Sequence, residues 1–261
     1  MHKWLNDSDK TKPIITATEH IHSSHGNYTG TTLPQTCVLF EIGVAISHIE
    51  SNYNTHTLIE KMPCFLENPK CICVDNINNV CFVRGGYGAP AAVDALETLI
   101  ALGVKQIIVV GMCGVFVNNI NVGDVIIPLH IQREEGTSYH YIESGRYSKP
   151  DPHLFKKAYD YFKAAAAIHN NTTVSTDAVY RQTFYKEQIW RNQGIVGVDM
   201  EASALLAVSE YYNIPAVAIL LASDKHPQTE NEMKWEWGNA SFNKAKRDFI
   251  DKCVGFAGSL T

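Results

Sequence analysis

The stretch Gly197-Val198-Asp199-Met200-Glu201-Ala202-Ser203-Ala204-Leu205 joins an apolar run to a segment of helical character and sets two carboxylates at the junction. Asp224 lies 23 residues beyond Glu201, just past a second apolar stretch, Ala216 to Ala222. Three acids are thereby brought to the mouth of one buried sheet. A carboxylate taken out of water without a partner costs several kcal/mol or shifts its pKa upward. Acids set beside apolar runs therefore point to a ligand or a reaction more than to a structural cluster.

Outward from this junction the chain alternates. Short apolar runs at Cys37 to Phe40, Cys71 to Val74, Val80 to Val83, Gln106 to Val110, Val125 to Pro128, Asn171 to Ser175, Ile195 to Val198 and Ala216 to Ala222 read as strands. Between them, helices are expected over Pro90 to Leu102, Asp151 to Ile168, Met200 to Tyr212 and Asn239 to Phe256; the first two carry proline in the opening turn. Asn76-Ile77-Asn78-Asn79 is a tight turn that makes residues 71 to 84 a hairpin. The expected fold is α/β: a mixed, mostly parallel central sheet with helices on both faces, in three layers. Ligands in such sheets sit at the carboxyl ends of strands. Residues 1–35 are polar, without sustained period, and read as an N-terminal arm; residues 36–261 read as one domain.

Composition narrows the function classes. With 261 residues and 45% hydrophobic content, a sizeable core forms without staples. A net charge of -5 with scattered basic residues gives no electrostatic footprint for nucleic acid or an anionic membrane, which leaves a small-molecule ligand. No stretch has the roughly 18 continuous apolar residues of a membrane span. The seven cysteines are odd in number and lie mainly in apolar strands, as in a cytoplasmic protein with reduced thiols. Cys71-Ile72-Cys73 reads as two small buried hydrophobes on one face of a strand, ahead of a metal or redox pair.

Two glycine-rich segments add a candidate floor. In Arg84-Gly85-Gly86-Tyr87-Gly88-Ala89-Pro90 the backbone can approach a ligand, and the helix that follows favours an anion. Val110-Gly111-Met112-Cys113-Gly114 reads as a second glycine turn at the same sheet edge. Neither has the Gly-Lys-Ser/Thr of a P-loop or the spacing of a dinucleotide fingerprint.

These segments, with Val198-Asp199-Met200-Glu201-Ala202, Arg133-Glu134-Glu135-Gly136-Thr137-Ser138 and Ala222-Ser223-Asp224, resemble the nucleoside phosphorylase and nucleosidase superfamily in order and spacing, over about residues 36 to 256. The resemblance implies cleavage of an N-glycosidic bond through a ribosyl cation-like transition state. It makes Glu201 the acceptor of the ribose 2' and 3' hydroxyls, an ionised group kept so by its helix start. Met200 then packs on the sugar, Asp199 supports the turn, and Tyr87 joins the ribose site. Asp224 matches the acid that serves N7 of a leaving purine; next to an apolar strand, it is expected to have a raised pKa. Val179, Tyr180 and Arg181 align with the base pocket, Tyr180 as a stacking ring and Arg181 as either a base contact or a surface cap. His20 resembles the histidine a neighbouring subunit lends to the 5' hydroxyl, which makes the protein a homo-oligomer with shared sites. A disordered arm and a metal cluster of His20, His22 and His25 are the alternatives.

The pattern fails at the phosphate site. The arginines of phosphorolytic relatives are missing: Phe40-Glu41-Ile42-Gly43 follows the first strand, Val109 precedes the second glycine turn, and Met112 stands at its hydroxyl position. Two explanations compete. Either Arg84, with Gly43, Gly111 and Met112 and with help from His48 or Arg133, forms a relocated phosphate site and inorganic phosphate is the co-substrate, or water is the nucleophile and Glu41 its base. A nucleoside sensor without turnover is the reading from a different class. No resident cofactor or metal is implied.

Overall fold

The computed structural model describes residues 11–28, 30, 32–142, 145–164, 167–232, 235, 237 and 240–260. A short helix α1 (Ala17–His22) precedes strand β1 (Thr36–Phe40). Helix α2 (Ala45–Asn52) and strands β2 (Thr55–Ile59), β3 (Cys71–Val74) and β4 (Val80–Arg84) follow. Helix α3 (Ala89–Ala101) leads to the long β5 (Gln106–Val115), then β6 (Val125–Ile126), β7 (Ile131–Glu134) and β8 (Tyr147–Ser148). Next come α4 (Pro152–Phe162), β9 (Ile168–His169), β10 (Thr172–Thr176) and α5 (Phe184–Asn192). The order closes with β11 (Ile195–Asp199), α6 (Ala202–Tyr211), β12 (Ala216–Lys225) and α7 (Ala240–Gly258).

The strands form one mixed sheet in the order β2-β3-β4-β1-β5-β11-β10-β7-β8, with β12 paired to β5 and β6, and β9 to β6. The central strands β1, β5 and β12 run parallel, whereas β11 meets the far end of β5 antiparallel through Gly197 and Val198. Alternate residues enter opposite faces, as the pleat requires. Leu39, Val109 and Ala218 pack with α3 and α6; Val38, Ile108 and Val217 pack with α2, α4 and α7. Burial on both faces is why these strands read as unbroken apolar runs. Cys71 and Cys73 both face the α3 side, and all seven cysteines are buried free thiols. No helix of the described residues is long and apolar enough to cross a membrane.

Several expectations are corrected. The second glycine segment is no turn: β5 runs on to Val115, because β12 pairs alongside it from Ile107 through Val115 and supplies the hydrogen bonds a turn would have left open. Strand β12 likewise continues past Ala222 through a bulge, so that Asp224 and Lys225 belong to it. Helix α4 ends at Phe162, where the Leu154, Ala158, Phe162 stripe ends, and Ile168 instead pairs with Val125. Helix α6 begins at Ala202, since Glu201, with φ of -131° and ψ of -38°, departs from helical backbone and stands as its N-cap. Strand β6 is two residues long, and Asn171 lies outside β10. Within the polar arm, Thr16 and Glu19 form a capping box that starts α1, whose one buried residue is Ile21. The elements missing from the sequence reading, α2, α5, β2, β7, β8 and β9, are short or amphipathic; β2 at the sheet edge exposes most of its residues.

Candidate active site

The carboxyl ends of β1, β4, β11 and β12 converge on one cavity of about 590 Å³. Its walls include Glu41, Glu201 and Asp224, all buried, together with Met112, Met200 and Tyr87.

At the β11–α6 turn the amides of a helix start need acceptors. Asp199 provides one: its Oδ2 accepts from the Glu201 amide at 3.1 Å and the Ala202 amide at 2.6 Å, while Oδ1 accepts from the Ser175 hydroxyl at 2.6 Å. Relieved of capping, the Glu201 carboxylate reaches across to the start of α3, where the Gly88 amide donates to its Oε1 at 2.7 Å. Gly88 caps α3 with φ of 84°, a conformation that favours glycine. Burial, and then the Asp199 charge, push the Glu201 carboxyl up to about 8, against the amides of Gly88 and Met200. Asp199 itself is pushed up to about 6 by burial. The expectation that the helix start keeps Glu201 ionised is therefore corrected: two amides do not offset desolvation beside a second acid.

Glu41, the residue after β1, is the third buried acid. Among the described residues neither of its oxygens has a hydrogen-bond partner, and burial followed by the nearby Glu201 holds its carboxyl well above the usual range, against the pull of Arg84. Its carboxylate fills the space where a side chain at Gly85 would stand, so the glycine turn after β4 makes room for an acid.

Asp224 is held differently. Its Oδ1 accepts from the Ser223 hydroxyl at 2.5 Å; its Oδ2 accepts from the Trp235 indole at 2.6 Å and lies 3.0 Å from Nε2 of His226. Burial pushes this carboxyl up, but the bonds from His226, Ser223 and Trp235 outweigh it and leave the group below its ordinary value. The expected raised pKa is corrected for that reason. Nδ1 of His226 faces Oε1 of Glu187 on α5 at 2.7 Å. Burial lowers His226, yet the two carboxylates carry it up to about 9.

The remaining candidates divide. Val179 and Tyr180 lie on the cavity wall, in a 3-10 turn, whereas Arg181 of that turn is exposed and off the wall. Arg84 also lies off the wall, 5.0 Å over the Tyr87 ring and 3.8 Å from Glu67. Gly43 is outside it too, its amide donating to the Tyr87 hydroxyl at 3.1 Å. Gly111 sits within β5, backed by Leu220 and Glu41, while Met112 beside it does line the cavity. His48 is bound to Asp251 at 2.9 Å, and Arg133 donates to Ser138, Ile142 and Gly145, so both are committed elsewhere. His20 packs against the rings of Phe65 and His25, away from the cavity of its own chain. The sequence reading missed Glu187, Phe184 and Trp237, all on the wall. Thr183, which caps α5, was the one local signal for the first two. Trp235 also lines the cavity, while Lys234, Glu236 and Gly238 around these two tryptophans lie outside the described residues.

Comparison with known proteins adds three findings. A family model described as the phosphorylase superfamily matches residues 68–254. The chain is similar to a DeoD-type purine nucleoside phosphorylase of Clostridium novyi, 31% identical over 53% of this chain and 61% of that protein, and to a guanosine phosphorylase of Halorubrum lacusprofundi, 32% identical over 51% and 56%. It thus covers less than two thirds of either relative. In fold it is similar to a crystal structure of purine nucleoside phosphorylase from Toxoplasma gondii in complex with immucillin-H, with TM-score 0.74 and 18% identity over 88% of this chain and 92% of that one.

Proposed function

Since the chain belongs to the phosphorylase superfamily, we propose that it cleaves the N-glycosidic bond of a purine nucleoside by phosphorolysis, giving the free base and ribose 1-phosphate. The observation that carries this reading is the shared cavity: Glu201 and Met200 line it together with Asp224, so that a sugar grip and a base acid address one ligand. Glu201 accepts from the 2' and 3' hydroxyls; on losing its proton it becomes an anion facing the cationic sugar of the transition state. Asp199 fixes the turn that aims it. Asp224 serves the departing purine, with Val179, Tyr180 and Phe184 as apolar walls for the ring. The amides of Gly86 and Tyr87 hold phosphate, Arg84 adds positive charge from behind the Tyr87 ring without reaching the cavity wall, and Glu41, kept neutral, donates a hydrogen bond to the phosphate. No resident cofactor takes part. In this reading residues 36–261 form the catalytic domain. The arm before it carries His20 to a neighbouring site in a cytoplasmic homo-oligomer serving purine salvage.

One observation favours a second reading. A buried carboxyl on the cavity wall, without a hydrogen-bond partner among the described residues, suits a general base for water, which would make the chain a nucleosidase. The test is incubation with inosine, adenosine, guanosine and uridine, with and without inorganic phosphate, for the natural chain and for Glu41→Gln. Phosphorolysis yields ribose 1-phosphate only with phosphate and survives the substitution within about tenfold, because an amide still donates. Hydrolysis yields free ribose without phosphate and falls by about 10²-fold or more in the variant. Unchanged nucleosides in every mixture would exclude both.

A further inference from the structure

Beside Asp224 stands His226, a group to which the sugar contacts assign no task. Both ring nitrogens of His226 face buried carboxylates, Asp224 at 3.0 Å and Glu187 at 2.7 Å. A neutral imidazole has one N–H, so it cannot donate to both. Either the ring is an imidazolium or one of the acids carries the proton; three groups share it in a space with little access to water, the side chains being 16%, 4% and 6% exposed for His226, Asp224 and Glu187. The ring is also fitted into place. A side chain at Gly114 would come within 2.6 Å of Nε2, so the glycine leaves the room the imidazole occupies. The His226 amide is tied to the Val115 carbonyl at 2.8 Å.

The groups around the ring are few. Strand β12 contributes Asp224, with the Trp235 indole on the same oxygen. Helix α5 contributes Glu187 and, 3.8 Å from its other oxygen, Arg191. From beyond β5 comes the ring of Phe116, centred 6.3 Å away. The Lys225 ammonium is turned away to the Asn118 carbonyl.

We propose that His226, oriented by Glu187, is a positioning residue that stores the proton Asp224 delivers to the departing purine. This rests on the glycosidic cleavage argued above and adds to it where the acid's proton resides. Nε2 of His226 passes its proton to the ionised Asp224, and a purine nitrogen takes that proton as the bond from C1' to the base breaks and its electron pair goes to the purine ring. The imidazole, now neutral, is recharged from water. On the sugar, the phosphate oxygen forms the new bond to C1'. Asp224 stays ionised between turnovers because its neighbour holds the proton, which is why its low pKa is compatible with acid catalysis.

The test compares inosine with 7-methylinosine, whose N7 is already quaternised and needs no proton. In His226→Gln, kcat/KM for inosine falls on the order of 10²-fold, and the loss for 7-methylinosine is at least about tenfold smaller. Glu187→Gln, whose amide oxygen still accepts from Nδ1, removes a charge that raises the imidazole and moves the alkaline limb of the inosine pH profile to lower pH. Equal losses on the two nucleosides, or an alkaline limb unmoved in Glu187→Gln, overturn the storage role while leaving glycosidic cleavage intact. A natural chain that cleaves neither nucleoside overturns the functional reading itself, and the storage role with it.

Discussion

At Glu201, desolvation and the neighbouring Asp199 oppose two backbone amides, and burial wins, lifting the carboxyl to about 8. Burial therefore favours the neutral form of this group in the free site, and in the proposed reading the anion forms when the sugar hydroxyls replace lost solvation. Glu201→Gln keeps an acceptor for the Gly88 amide but removes the charge. Hydrogen bonds to a charged group are worth about 1.5–3 kcal/mol against about 1 for neutral ones, so nucleoside affinity in calorimetry falls by about 10-fold or more. An affinity unchanged from the natural chain would remove Glu201 from the sugar site. The positions of the carboxylates at residues 199, 201 and 224 were legible in the sequence because each stands where an apolar run stops. Their protonation was not. It depends on partners such as Gly88 and Trp235 that are 113 and 11 residues away and become neighbours only on folding.

The junction of β5, β11 and β12 fixes where those acids stand. Strand β11 crosses the end of β5 antiparallel, and at Gly197 a side chain would lie 2.5 Å from the Cys113 sulfur and 2.8 Å from the Gly114 carbonyl. A carbonyl in a paired strand cannot rotate aside, so Gly197→Ala must part the strands. Overpacking of this kind costs about 1–3 kcal/mol, which for a chain of this size lowers Tm by about 2–4 °C per kcal/mol. A melting temperature equal to that of the natural chain would contradict the close approach. At this scale the sequence conveyed the central strands and the β3–β4 hairpin, because burial on both faces writes an unbroken apolar run. It misread Val110 to Gly114 as a turn: glycines spaced for close strand contact look the same as glycines spaced for a bend until the partner strand is known. Helix α5, which brings Glu187 to the site, has a polar sequence and few buried residues, so its period was faint.

Across the whole molecule the buried acids tie stability to pH. Glu201 titrates near about 8 when folded against 4.5 ordinarily, and Asp199 near about 6 against 3.8. For a carboxyl raised by folding, the native state binds the extra proton, so its contribution is complete below the ordinary value and is lost as pH rises to the folded one. His226 follows the same sign, complete below 6.5 and lost as pH rises through about 9. Asp224, lowered by its partners, works the opposite way and is lost only in acid. Without ligand, Tm of the natural chain is thus expected to fall relative to Glu201→Gln between about pH 5 and about pH 8, read by calorimetry. Parallel melting curves across that window would mean that Glu201 is solvated in the free protein. By itself the sequence determined the α/β class, the family resemblance and the ends of the strands at which chemistry gathers, since apolar runs and punctuating acids are local features of the chain. Only the tertiary structure decided that Glu41 is a buried acid on the cavity wall with no hydrogen-bond partner among the described residues, that Arg84, Gly43 and Arg181 stand off that wall, and that His226 bridges two carboxylates. The physical reason is desolvation and pairing: both are set by what surrounds a side chain in space, and neighbours distant in sequence leave no mark on the residue they surround.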